Sequence, residues 1–226
     1  MRNLPTYEDY LNEGRSSYDG LSSSLVKQTF KKWIADWKIK KSSSTFSYSI
    51  EDKLEFDLEA TIYFDSSIKG FEVLNSTGAD SRDVDDEDFD QTPYIIIDFA
   101  VNPEWLPGYW QEIYMHLVDV MRHEIEHITQ GGSSNYKPGK PSEDDTLTRQ
   151  LITSGMLPKH MYLLLPKEID ANLQGLRAES KKRRESYEIT VDKYLNTQEY
   201  LTPETREEVL DKWRLRAKQI GGIPKF

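Results

Sequence analysis

The sequence predicts an α+β fold, and three observations carry that prediction. Residues 54–64, LEFDLEATIYF, alternate apolar with polar or amphipathic side chains, the period of a half-buried strand. Segments near residues 24–40 and 107–130 repeat apolar residues at three- and four-residue steps, the period of an amphipathic helix. The 226 residues are enough to bury a core, so the absence of cysteine, which excludes disulfides and thiol catalysis, leaves folding unimpaired.

Taken in order, residues 1–20 are polar and rich in turn formers and read as an N-terminal arm. A helix follows over SSSLVKQTFKKWIADWKIKK, with Ser24 as its N-cap and Val26, Phe30, Trp33, Ile34 and Trp37 on its buried face. The strand at 54–64 expects an antiparallel neighbour at 44–50, and FEVLN (71–75) adds a third strand to a small antiparallel or mixed sheet. The acidic loop at 80–90 lacks the glycine and terminal glutamate of an EF-hand, so it reads as solvated. PYIIIDFAV (93–101) is the most apolar strand and leads into a helix from Pro107 to Gln130. A short helix is expected over DTLTRQLIT (145–153), and another from Pro166, a favoured first helical position. KKRRES reads as a solvated helix face, and a last helix is bracketed by Thr202-Pro203-Glu204 and Gly221-Gly222.

Lys and Arg number 29 against 39 Asp and Glu, a formal net charge of −10. Phosphate recognition needs clustered basic residues, so nucleic acid is not the expected partner. No run approaches the roughly 18 apolar residues of a membrane span, and the N-terminal segment has no apolar leader core. The expectation is a soluble, cytoplasmic protein with no membrane partner.

Chemistry concentrates in MRHEIEHITQGG, residues 121–132. His123 and His127 stand one helical turn apart, their Cβ atoms about 5–6 Å from one another, and can converge on one zinc ion. Glu124 is turned about 100° from His123, placed to take a proton from water on that ion. H-E-x-x-H arises by accident in about one chain of this length in a hundred, from average residue frequencies. Here the context of strands, amphipathic helix and closing glycines supports it. Position 133 is serine, which excludes the metzincin continuation. The third ligand is then Glu168, Asp170 or His160. Glu168 and Asp170 lie about 200° apart on a helix, so only one faces the metal. Glu168 is preferred, because it sits in the first helical turn while His160 sits on a loop. Asn172, one turn on, is placed to brace a histidine or the carboxylate; Asp119 is either an acceptor for the free nitrogen of His123 or a plain helix-surface carboxylate. Tyr162, Tyr136 and His160 are candidate oxyanion stabilisers. His116 shares the face of His123 and reads as a packed histidine.

His123-Glu124-Ile125-Glu126-His127, followed by Tyr162-Leu163 and PKEIDA (166–171), resembles the zincin metallopeptidases on their gluzincin side. It is similar to small proteins of that kind encoded by tailed bacteriophages. The resemblance covers roughly residues 45–180. It implies a zincin-like domain at 21–182 between the arm at 1–20 and a helical C-terminal extension at 183–226. It also implies Zn2+ held by His123, His127 and Glu168, Glu124 and Tyr162 as catalytic residues, and a peptide or protein substrate. PYIIIDFAV resembles the zincin strand at the cleft edge, where extended substrate pairs, with 131–148 as a flap. Asn172 stands where gluzincins often carry aspartate, a departure that weakens charge donation to a histidine. A phage setting implies a viral-particle or host protein partner and a location in the host cytoplasm or virion. Two rivals remain: an interaction protein that keeps the fold with little activity, and a metal-free domain with incidental histidines.

Overall fold

The computed structural model describes residues 7–51, 55–77, 94–106, 108–129 and 143–226. The chain is α+β. Its strands are β1 (Ser44–Glu51), β2 (Glu55–Phe64), β3 (Phe71–Thr77) and β4 (Tyr94–Val101). Its helices are α1 (Tyr7–Lys40), α2 (Trp110–Thr129), α3 (Glu143–Thr153), α4 (Pro166–Arg183), α5 (Tyr187–Asn196) and α6 (Pro203–Ile220).

The strands form one mixed sheet in the order β1-β2-β4-β3. β1 pairs antiparallel with β2, in a register that sets Ser44 opposite Ile62. β2 pairs parallel with β4, and β3 antiparallel with β4, with a register shift between Val73 and Asn75. β4 is therefore an inner strand, hydrogen-bonded on both sides, and not the cleft edge that its resemblance suggested. The edge strands among the described residues are β1 and β3. Its burial alternates, with Ile95, Ile97 and Phe99 on the core face and Tyr94, Ile96 and Asp98 half-buried on the other.

One face of the sheet makes the main core. Phe56, Leu58 and Ile62 of β2 and Ile95, Ile97 and Phe99 of β4 point the same way, as period-two alternation requires. They pack under Leu25, Val26 and Trp33 of α1 and Ile113, Leu117, Met121 and Ile125 of α2. Trp33 also donates its indole N–H to the Ala60 carbonyl at 3.2 Å, which satisfies a fully buried ring nitrogen. From β4 the chain turns through buried Asn102. Its amide donates to the Ile68 carbonyl at 2.8 Å and accepts from the Glu104 N–H at 2.9 Å, capping a 3-10 turn at Pro103–Trp105. This turn takes up the residues before Trp110, so α2 starts later than the expected Pro107, which itself lies outside the described residues.

α1 departs from expectation at its start. It begins at Tyr7, so residues 7–20 are helical rather than an irregular arm, and Ser24 is an interior residue whose hydroxyl accepts from Gln28. The polar sequence there hides the helix, whose described end is tied down both by Tyr18 and Leu21 against the main core and by Asp19. Asp19 accepts from Arg122 of α2 at 3.2 Å and from Arg177 and Lys181 of α4 at 3.1 Å each. Arg122 is fully buried and also donates to Glu126 at 2.8 Å.

A second core joins α4 to α5 and α6 through Leu173, Leu176, Val191, Leu195, Val209 and Trp213. α5 is capped by the Ser186 hydroxyl, which accepts from the Ile189 N–H. The basic run before it is only partly solvated: Arg183 donates to Glu179 at 2.7 Å and to Glu112 of α2 at 2.7 Å. α6 starts at the expected Thr202 cap and ends at Gly221, whose φ of 67° lies in the region glycine favours. No helix among the described residues is long and apolar enough to cross a membrane. The acidic loop at 80–90, Tyr136 and the Gly131-Gly132 stop lie outside the described residues.

Burial raises the Asp19 pKa, but Arg177, Lys181 and Arg122 outweigh it and hold it below the ordinary 3.8. The stabilisation from this carboxylate is therefore complete above pH 3.8 and lost as pH falls through the folded value. Asp19→Asn should lower stability by about 1–3 kcal/mol at neutral pH, since it strips a charge partner from buried Arg122. In urea unfolding, the deficit should shrink once the pH drops below 3.8. A deficit independent of pH would contradict the assignment.

Candidate metal centre

α2 carries its apolar set into the main core, which turns the His123–His127 side toward α4. The two rings meet edge to face with centroids 4.8 Å apart, and their Nε2 atoms lie 3.0 Å from each other. Pro166 opens α4, and Glu168 follows in its first turn. The Glu168 side chain is 1 % exposed. Its Oε2 lies 3.5 Å from His123 Nε2 and its Oε1 3.5 Å from His127 Nε2. One donor atom from each of the three residues falls within 4.8 Å of the others.

These separations suit a small cation. Ligands at about 2.0–2.1 Å in a tetrahedron stand about 3.3 Å apart, close to the 3.0 and 3.5 Å seen here. The donor set, two imidazoles and one carboxylate, is one that zinc takes in hydrolytic sites. Glu168 Oε2 is buried and makes no hydrogen bond among the described residues, although burying an anionic oxygen unsatisfied is costly. Burial alone raises the Glu168 pKa, but the neighbouring His123 and His127 outweigh it and hold the carboxyl well below its ordinary value. It is thus an anion facing two imidazole nitrogens, which is what a divalent ion needs.

The other two candidates for third ligand are engaged elsewhere. Asp170 accepts from Arg216 of α6 through both oxygens, each at 2.6 Å. His160 stands 3.6 Å from Glu208, also on α6. Asn172 donates to the main-chain carbonyl of Glu168 at 2.8 Å, so it steadies the helix turn rather than the carboxylate or a histidine. Asp119 makes no hydrogen bond to His123 among the described residues. Burial and the charges of Glu179 and Glu124 push its carboxyl well above the usual range. His116 packs edge-on against Phe71 of β3, with centroids 5.1 Å apart, and is not part of the cluster.

Glu124 is 2 % exposed and is not one of the three converging donors. Its charge is felt at Tyr162, which sits on a 3-10 segment at Lys159–Leu164 just before α4. Burial, then the charge of Glu168, raises the Tyr162 pKa, so the phenol remains a proton donor. Two residues at the centre were not singled out from sequence. Arg149 of α3 donates to Glu168 Oε1 at 2.8 Å, a contact across 19 positions that no local pattern encodes. Gly175 of α4 lies against α2, and its signal is legible: a glycine in the middle of a helix usually has a packing reason. Compared with protein-family models, characterised proteins and solved structures, the chain gives no match.

A Cβ added at Gly175 would lie 2.8 Å from the Asp119 carbonyl oxygen and 3.3 Å from His123 Cβ, and it would collide with the Asp119 carboxylate. Alanine ordinarily gains about 1 kcal/mol over glycine inside a helix. Here the clash is with backbone, so Gly175→Ala should instead destabilise by about 1–3 kcal/mol, read by denaturant unfolding. A stabilised variant would show that α2 and α4 do not pack this tightly.

Proposed function

We propose that the chain is a zinc-dependent metallopeptidase of zincin-like architecture. The observation that carries this reading is the convergence of His123, His127 and Glu168 from two packed helices, with Glu124 beside the first histidine. These three residues would hold the ion. When bound, zinc supplies Lewis acidity toward a carbonyl oxygen and toward water. The chain supplies the rest. Glu124 takes a proton from the attacking water and gives it to the nitrogen of the leaving amine, so that water and one amide become a carboxylic acid and an amine. Tyr162, kept protonated, donates a hydrogen bond to the oxygen that gains charge in the transition state.

The fold supports this chemistry in two ways. Both histidines ride on a helix whose opposite side is locked in the main core, so their spacing is fixed before any ligand arrives. Beside β4, which runs into the histidine helix, lies the antiparallel strand β3, an edge strand among the described residues, where an extended peptide can add by main-chain pairing.

Glu124→Gln should retain one equivalent of zinc while lowering kcat/KM on an unstructured peptide by at least about 100-fold, the usual contribution of a general base. Zinc should raise the Tm of this variant and of the native protein alike, because neither loses a metal donor. Undiminished turnover in Glu124→Gln would end the proposed role. An absence of hydrolysis by the native, zinc-loaded protein would favour the interaction-protein reading.

A further inference from the structure

Among the described residues, a cationic side chain reaches the centre from outside the two ligand-bearing helices. Arg149 projects from α3, and its Nη2 donates to Glu168 Oε1 at 2.8 Å. Its guanidinium carbon stands 5.4 Å from the centroid of the Tyr162 ring. The arginine side chain is 33 % exposed, whereas the carboxylate it meets is 1 % exposed.

The two oxygens of Glu168 are consequently unequal. Oε1 accepts a charge-assisted hydrogen bond and lies 3.5 Å from His127 Nε2, while Oε2 has no hydrogen-bond partner among the described residues and lies 3.5 Å from His123 Nε2. The terminal torsion of a glutamate is broad, so the 3.5 Å contacts to two histidines and the nearby Tyr162 phenol hold the carboxylate plane only loosely. A short bond from a guanidinium to one oxygen removes that freedom. We infer that Arg149 is a positioning residue of the metal centre, anchoring Glu168 Oε1 on the His127 side so that Oε2, the oxygen left without a hydrogen bond, is held toward His123 Nε2 as the metal-binding atom. This inference rests on the metal-centre reading above. It adds α3 as a third element on which that centre depends.

The opposing effect is repulsion between the guanidinium and a bound dication. Arg149 is partly exposed, so solvent screens its charge at longer range, while its short bond is made to a buried oxygen. Anchoring therefore wins, and the sign of the mutational effect on metal affinity distinguishes the two.

The test is the Kd for zinc alone, measured by competition with a chelator, in the native protein, Arg149→Gln, Glu168→Gln and the double variant. The native protein should bind one equivalent. Arg149→Gln should bind about 10–100-fold more weakly, as loss of a partner to a metal ligand usually does. The double variant should bind no more weakly than Glu168→Gln, because Arg149 acts through that carboxylate. Metal-free thermal melting checks that Arg149→Gln folds. Should it not fold, Arg149→Met, which keeps the aliphatic stem, decides by the same criterion. Unchanged or tighter binding in the Arg149 variant, or losses that add in the double variant, would overturn the inference while leaving the metal centre standing. A native protein that binds no zinc would overturn both.

Discussion

Close approach of α2 and α4 is the constraint from which the rest of the centre follows. Gly175 leaves no side chain between its own backbone and the backbone of Asp119, and it lies against the Cβ of His123. With a larger residue there the helices separate, and Glu168 can no longer reach Nε2 of both histidines at 3.5 Å. A carboxylate is a short arm, so the distance between two helix axes decides whether its oxygens meet a cation or merely face it.

Each of the two helices is held from behind by a different core. α2 is fixed by the sheet and α1, through Leu117, Met121 and Ile125. α4 is fixed by α5 and α6, where Trp213 donates to the Leu163 carbonyl at 2.8 Å, Tyr187 to the Leu173 carbonyl at 3.0 Å, and Arg216 clasps Asp170. Asp19 of α1 then bridges both helices through Arg122, Arg177 and Lys181. The candidate ligands sit where these two packed units meet, the position in which side chains from both can be held with little freedom.

Much of this was legible in the chain. The 3.6-residue period placed His123 and His127 on one face and separated Glu168 from Asp170, and the structure turns Asp170 to Arg216 as that separation demands. Strict alternation at 54–64 gave β2 and its antiparallel neighbour. What escaped was information that local pattern does not hold. The apolar positions of residues 7–20 are few and mostly tyrosine, so their helix was missed, and its tie through Asp19 spans more than a hundred positions. Strand order depends on long-range pairing, so likeness to an edge strand misplaced β4. The helix α5 was readable in principle, from the Ser186 cap and from buried Tyr187, Val191 and Leu195 at four-residue steps. The basic residues before it drew the reading toward solvent instead.

The central claim is that one divalent cation lies between α2 and α4. Anomalous diffraction at the zinc edge, from crystals of protein purified without added metal, tests it most directly. The account requires one peak, bonded to Nε2 of His123 and of His127 and to an oxygen of Glu168, at about 2.0–2.2 Å. A peak elsewhere, or a zinc-soaked crystal in which these three residues keep their contacts and hold no ion, would contradict it.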